Sequence, residues 1–155
     1  VGIQFCHLPL IAPMEEKLFN QCQERGYVSV NKARDVMEQI SQAKISDLLF
    51  KKALKAVQND ILTEYLNFDQ FRQLIYSFLK SANDPKLVLF YAVDVDQKQS
   101  LGKQQAIQLF KLFNIELTLQ AIDQIFSDYG LENKLTEANF LEAFQMLQQL
   151  RMQTI

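Results

Sequence analysis

"DVDQKQSLGKQQ", residues 94–105, sets oxygen-bearing side chains at alternating positions and then departs from its own pattern. Asp94, Asp96 and Ser100 fall two and four residues apart, a spacing that lets a tight loop gather polar atoms toward one centre. Lys98 interrupts them with a cation, and the run closes on a neutral amide, Gln105. Leu101 is the one large apolar side chain between Lys98 and Gln105.

Leu101 belongs to a repeat. Leu66 lies 35 residues before it, Val28 another 38 before that, and Leu135 lies 34 after it. Each is followed by a residue suited to start a helix: Ser29, Asn67, Gly102 and Thr136. Five residues beyond each anchor stand Ala33, Phe71, Ala106 and Phe140. Eight and nine beyond stand Val36 and Met37, Leu74 and Ile75, Leu109 and Phe110, Ala143 and Phe144. Twelve beyond stand Ile40, Phe78, Phe113 and Leu147. Those offsets put the side chains on one stripe of a helix. The chain therefore divides into four units of similar length, each an entering helix, a short loop with a central apolar residue, and an exiting helix.

The spacing predicts helices over 14–22, 30–42, 46–58, 67–80, 85–93, 103–114, 118–128 and 137–150. Ser46 and Thr118 are good caps, Asp84 followed by Pro85 is a strong start signal, and Asn67 with Gln70 resembles a capping box. "KSANDPK" (80–86) is the polar break near the middle and pairs the units as 14–80 and 84–155. A lone helix–loop–helix leaves its apolar stripe uncovered, so pairing is expected. An ordinary helical bundle with an accidental period is the alternative.

The composition agrees with a helical, folded chain. Hydrophobic residues make up 48% of 155, with four Gly, three Pro and no Trp. The formal charge of −2 gives no general pull toward nucleic acid or an anionic membrane. Two cysteines, Cys6 and Cys22, do not make a disulfide framework, and a reducing compartment is expected. No apolar run approaches the ~18 residues a spanning helix needs. The start "VGIQFCHLPLIAP" (1–13) lacks a basic flank and an uninterrupted apolar core, so it reads as a poor signal peptide and as an apolar arm that docks on the protein or a neighbour.

These residues carry a resemblance. The sequence resembles the EF-hand superfamily, in the two-lobed, four-hand layout of calmodulin and the myosin light chains. "FYAVDVDQKQSLGKQQAIQLF" (90–110) is the closest segment, and "LTLQAIDQIFSDYGLENKLTEANFLEAFQML" (117–147) is similar to the last hand of that layout. The likeness covers residues 14 to 150. It implies an all-α fold of two lobes, each a pair of helix–loop–helix units joined by a short two-stranded pairing.

The resemblance also implies a twelve-residue calcium loop, with oxygen ligands at positions 1, 3, 5, 7, 9 and 12 and glycine at 6. In the third unit these positions hold Asp94, Asp96, Lys98, Ser100, Gly102 and Gln105, with Gln99 in the glycine place. At about 5 Å and an effective dielectric near 20, Lys98 would repel a divalent ion by up to several kcal/mol. The second loop offers Asn59, Ile61, Thr63, Tyr65, Asn67 and Gln70, with no carboxylate at a ligand position. The first offers Gln21, Gln23, Arg25, Tyr27, Ser29 and Lys32, and keeps Gly26 at the turn. The fourth retains Asp128 and Glu132 in a loop that reads about two residues short. No cofactor is expected, calcium included; if a metal binds, Asp94, Asp96 and Ser100 are its ligands.

What the resemblance leaves is the capacity to grip an amphipathic helix of a larger protein. Groove candidates are Met37, Ile40, Leu74, Phe78, Phe90, Leu109, Phe113, Phe126, Phe144, Met146 and Leu147. An apolar stripe serves the core as readily as an interface, so some of these residues have both roles. Catalysis is not expected. His7 is the only histidine, there is no CxxC, and "GYVSVNKAR" (26–34) lacks phosphate-loop spacing. Lys51, Lys52 and Lys55 in "LLFKKALKAV" (48–57) read as a solvated helix face or a contact for an acidic partner. The expected role is a non-catalytic, light-chain-like subunit of a hetero-complex. It would bind neither nucleic acid nor a membrane interior. Its setting would be cytoplasmic, in a cytoskeletal, motor or ciliary axonemal assembly. A calcium sensor working through the third loop and a regulatory subunit of an enzyme are the alternatives.

Overall fold

The computed structural model describes residues 11–59, 63–82 and 84–153, with side chains from Met14 to Leu150. The fold is all-α with two small antiparallel sheets. Helix α1 (Ile11–Cys22) leads to strand β1 (Val28–Ser29), α2 (Val30–Ser41), α3 (Asp47–Val57), β2 (Tyr65–Leu66) and α4 (Phe68–Lys80). After the break come α5 (Pro85–Val93), β3 (Ser100–Leu101), α6 (Lys103–Leu112), α7 (Leu119–Asp128), β4 (Leu135–Thr136) and α8 (Glu137–Gln153).

The four sequence anchors occupy equivalent places. Val28 pairs with Leu66 across β1 and β2, and Leu101 pairs with Leu135 across β3 and β4. All four are fully buried. Two-residue strands are too short to stand alone, so each pair depends on the apolar anchor it plants in the core.

Local chemistry starts the helices where the sequence places them. Ser29 accepts the Lys32 backbone N–H at 3.2 Å, Ser46 that of Leu49 at 3.1 Å, and Thr118 that of Ala121 at 3.0 Å. Asn67 and Gln70 complete a reciprocal capping box at 2.9 and 3.0 Å. Asp84 caps α5 through Lys86 N at 3.0 Å, with Pro85 in the first turn. Helix α1 starts at Ile11, three residues earlier than the spacing predicts. Pro13 permits this, because a first-turn residue has no intrahelical partner for its N–H and proline lacks one. The remainder of the apolar arm, residues 1–10, lies outside the described residues, as do Cys6, His7 and Ile61.

The two halves share one core. Helix α5 folds back on α4 and packs against α3, while α3 also meets α6. Phe140 sits at the centre of an aromatic cluster, with ring centroids 5.6 Å from Phe90, 5.6 Å from Phe110, 6.1 Å from Phe113 and 5.7 Å from Phe144. No described helix is long and apolar enough to cross a membrane.

Candidate functional site: a self-bonded loop and two apolar faces

The loop after α5 is held by its own side chains. Asp94 ends α5 and is fully buried. Its Oδ1 accepts the Lys98 backbone N–H at 3.1 Å, and its Oδ2 accepts the Gln99 N–H at 2.8 Å and the Tyr76 hydroxyl at 2.6 Å. Three of the roughly four acceptor positions of that carboxylate are thus filled. Burial, and then the bond to Asp94, push the Tyr76 phenol well above its ordinary range, so it stays a donor.

Gln73 adds a second tie from α4. Its Nε2 donates to the carbonyls of Tyr91 and Asp94, both at 2.8 Å, and its Oε1 accepts Gln97 Nε2 at 3.3 Å. Gln105 closes the far side. Its Oε1 accepts the Gly102 N–H at 3.0 Å while its Nε2 donates to the Val93 carbonyl at 3.1 Å. Only an amide can do both; a carboxylate there would face a carbonyl with no proton between them.

A divalent ion does not fit this arrangement. Asp94 is engaged, Gln105 turns a donor toward Val93, Asp96 is exposed, and Ser100 is paired in β3 opposite Thr136. Among the described residues no group of three or more His, Cys, Asp or Glu side chains is placed to hold a metal. The tight turns of the first and third loops use left-handed backbone. Gln99, at the position where the twelve-residue pattern has glycine, adopts φ +62°, and Gly26 in the first loop adopts φ +87°. Tyr91 donates to Glu137 Oε2 at the start of α8, which ties the loop's helix to the last unit.

The groove candidates separate by depth. Met37, Leu74, Phe90 and Leu109 are fully buried, and Phe78, Phe126 and Phe144 nearly so. Ile40, Phe113 and Leu147 are half-buried, and Met146 is exposed. Two of the half-buried residues mark apolar faces. Ile40 lines an open groove of about 580 Å³ together with Met14, Leu18, Val36 and Leu79, rimmed by Lys17 and three glutamines. Sequence reasoning missed the α1 wall, Met14 and Leu18, since α1 has no anchor-based register. Beside it, Glu15 is buried 3.8 Å from Arg72 of α4, and burial lifts its carboxyl to about 7 despite the arginine.

The second face lies across α6 and α8. Phe113 and Phe144 meet edge to face at 4.6 Å. Leu147 continues the Phe140–Phe144 stripe by one turn, and Leu150, half exposed, follows three residues later. Searches of protein-family models and of curated proteins give no match to the chain.

Proposed function

We propose that this chain is a non-catalytic, calmodulin-like subunit of EF-hand architecture that grips a helix of a larger protein without calcium. The observation that carries the reading is the closure of the third loop by Tyr76, Gln73 and Gln105. A loop that satisfies its own polar atoms holds its helix pair in one geometry with no ion to add or remove. Four equivalent helix–loop–helix units, paired through Val28–Leu66 and Leu101–Leu135, support the EF-hand assignment. The apolar groove between α1, α2 and α4 supports the helix-binding role, because such grooves take one face of an amphipathic helix.

A permanent partner suits the molecule's composition. Twelve Phe and two apolar faces are an aggregation risk on a free monomer, and a resident helix would cover them. A cytoskeletal or motor assembly, a ciliary axoneme among them, is the setting this reading favours by its likeness to light chains.

Purification of the native complex in chelator, followed by reconstitution with the recombinant partner helix, tests the proposal. A stoichiometric complex that persists in chelator supports it. A complex that forms only with calcium, or a chain that stays a compact monomer and takes no helix, contradicts it.

A further inference from the structure

Lysines crown three aromatic rings, and they are not alike. Lys103 Nζ lies 5.8 Å from the Phe126 ring centroid and is paired with Asp123 at 2.8 Å. Lys52 Nζ lies 5.7 Å from the Phe113 ring, and Lys86 Nζ lies 5.8 Å from the Phe144 ring. Among the described residues neither has a carboxylate oxygen within 4.0 Å.

Lys52 comes from α3 and Lys86 from α5, so two elements bring half-buried cations over the two rings of one pair. Asp84, two residues from Lys86, is spent on capping α5. A lysine stem along an apolar surface keeps its charged head at the rim. The face therefore presents the half-buried Phe113, with Leu147 and Leu150 farther along α8, beside two ammonium groups that have no carboxylate within 4.0 Å among the described residues.

We propose that this face docks an amphipathic helix bearing carboxylates along the edges of its apolar stripe. The inference rests on the helix-gripping reading above and adds the partner's charge. A helix with basic edges would meet Lys52 and Lys86 as like charges, whereas acidic edges supply the missing counter-charges. Exposed ion pairs are individually weak, so the apolar stripe gives affinity and the lysines give preference.

Two synthetic peptides of about five helical turns test it, each with leucines at i, i+3, i+4 and i+7, one flanked by Glu and one by Lys. Affinities for the full chain are measured by fluorescence anisotropy. The expected result is at least about a tenfold preference for the Glu peptide, inverted in the double variant Lys52→Glu/Lys86→Glu and unchanged in Lys103→Glu. Circular dichroism of each variant establishes that it is folded. Equal binding of both peptides, or a preference untouched by the double variant, overturns the charge assignment and leaves helix gripping standing. Loss of binding in Ile40→Glu but not in the double variant moves the helix to the α1–α2 groove and overturns this site. Absence of binding by either peptide overturns both readings.

Discussion

Tyr76 of α4 donates its hydroxyl to Oδ2 of Asp94 at 2.6 Å, joining the last helix of the first half to the first position of the loop in the second. Both groups are buried. Tyr76→Phe removes one donor from a buried carboxylate and is expected to lower stability by about 1–3 kcal/mol. Asp94→Ala strands Tyr76 Oη and two backbone N–H groups and should cost more. A double-mutant cycle by urea unfolding should return a coupling of about 1 kcal/mol or more. Strict additivity would show that the bond does not matter.

Gln105 holds Gly102 N and the Val93 carbonyl at once. Gln105→Glu keeps the acceptor and loses the donor, so in chelator the variant should be less stable by about 1–2 kcal/mol. A stabilised variant in chelator would contradict the hydrogen-bonding role of Gln105. Differential scanning calorimetry reads the outcome.

Gln99 holds φ +62° at a position that suits glycine. A left-handed conformation costs a residue with a Cβ about 1–2 kcal/mol, of which glycine's extra freedom in the unfolded chain takes back part. Gln99→Gly should therefore raise stability by about 0.5–1 kcal/mol while preserving the bond from its N–H to Asp94. Urea midpoints check it, and a lower midpoint would mean the Gln99 side chain contributes something else.

Glu15 should make stability fall with pH. Its folded carboxyl titrates at about 7 against an ordinary 4.5. Between those values the folded chain holds a proton that the unfolded chain has released. Its contribution is fully present below pH 4.5 and is lost as pH rises through about 7. Glu15→Gln should match the parent at low pH and exceed its thermal midpoint at about pH 8. Parallel curves for the two proteins would remove Glu15 as the cause.

Phe140 touches four other aromatic rings and is fully buried. Phe140→Ala should cost about 3–5 kcal/mol through lost burial and the cavity left behind. A loss under about 1 kcal/mol would show a core that collapses into the gap.

The fold was legible where the signal is local. Ser29, Ser46, Asn67, Asp84 and Thr118 cap helices with donors two or three residues away, and the similar spacing of Val28, Leu66, Leu101 and Leu135 marks the equivalent places they occupy in the strand pairs. The loop's closure was half legible. Lys98 and Gln105 depart from the calcium-loop pattern the sequence resembles, but the side chains that tie the loop down, Tyr76 and Gln73, lie 18 to 21 residues from their partners on another helix. No periodicity reports such a contact. The groove was least legible, because a helical stripe gives direction and not depth. Phe78 is buried while Ile40, Phe113 and Leu147, at the same offset of twelve, are half-buried, and α5 packs on the helix that carries Phe78. The unequal lysines depend on the same long-range packing.

Isothermal titration of the full chain with calcium, to about 1 mM, tests most directly whether the third loop closes without a cation. The predicted result is no stoichiometric heat and no change in helical content or thermal midpoint. A one-to-one heat at micromolar calcium, lost in Asp94→Ala, would contradict it.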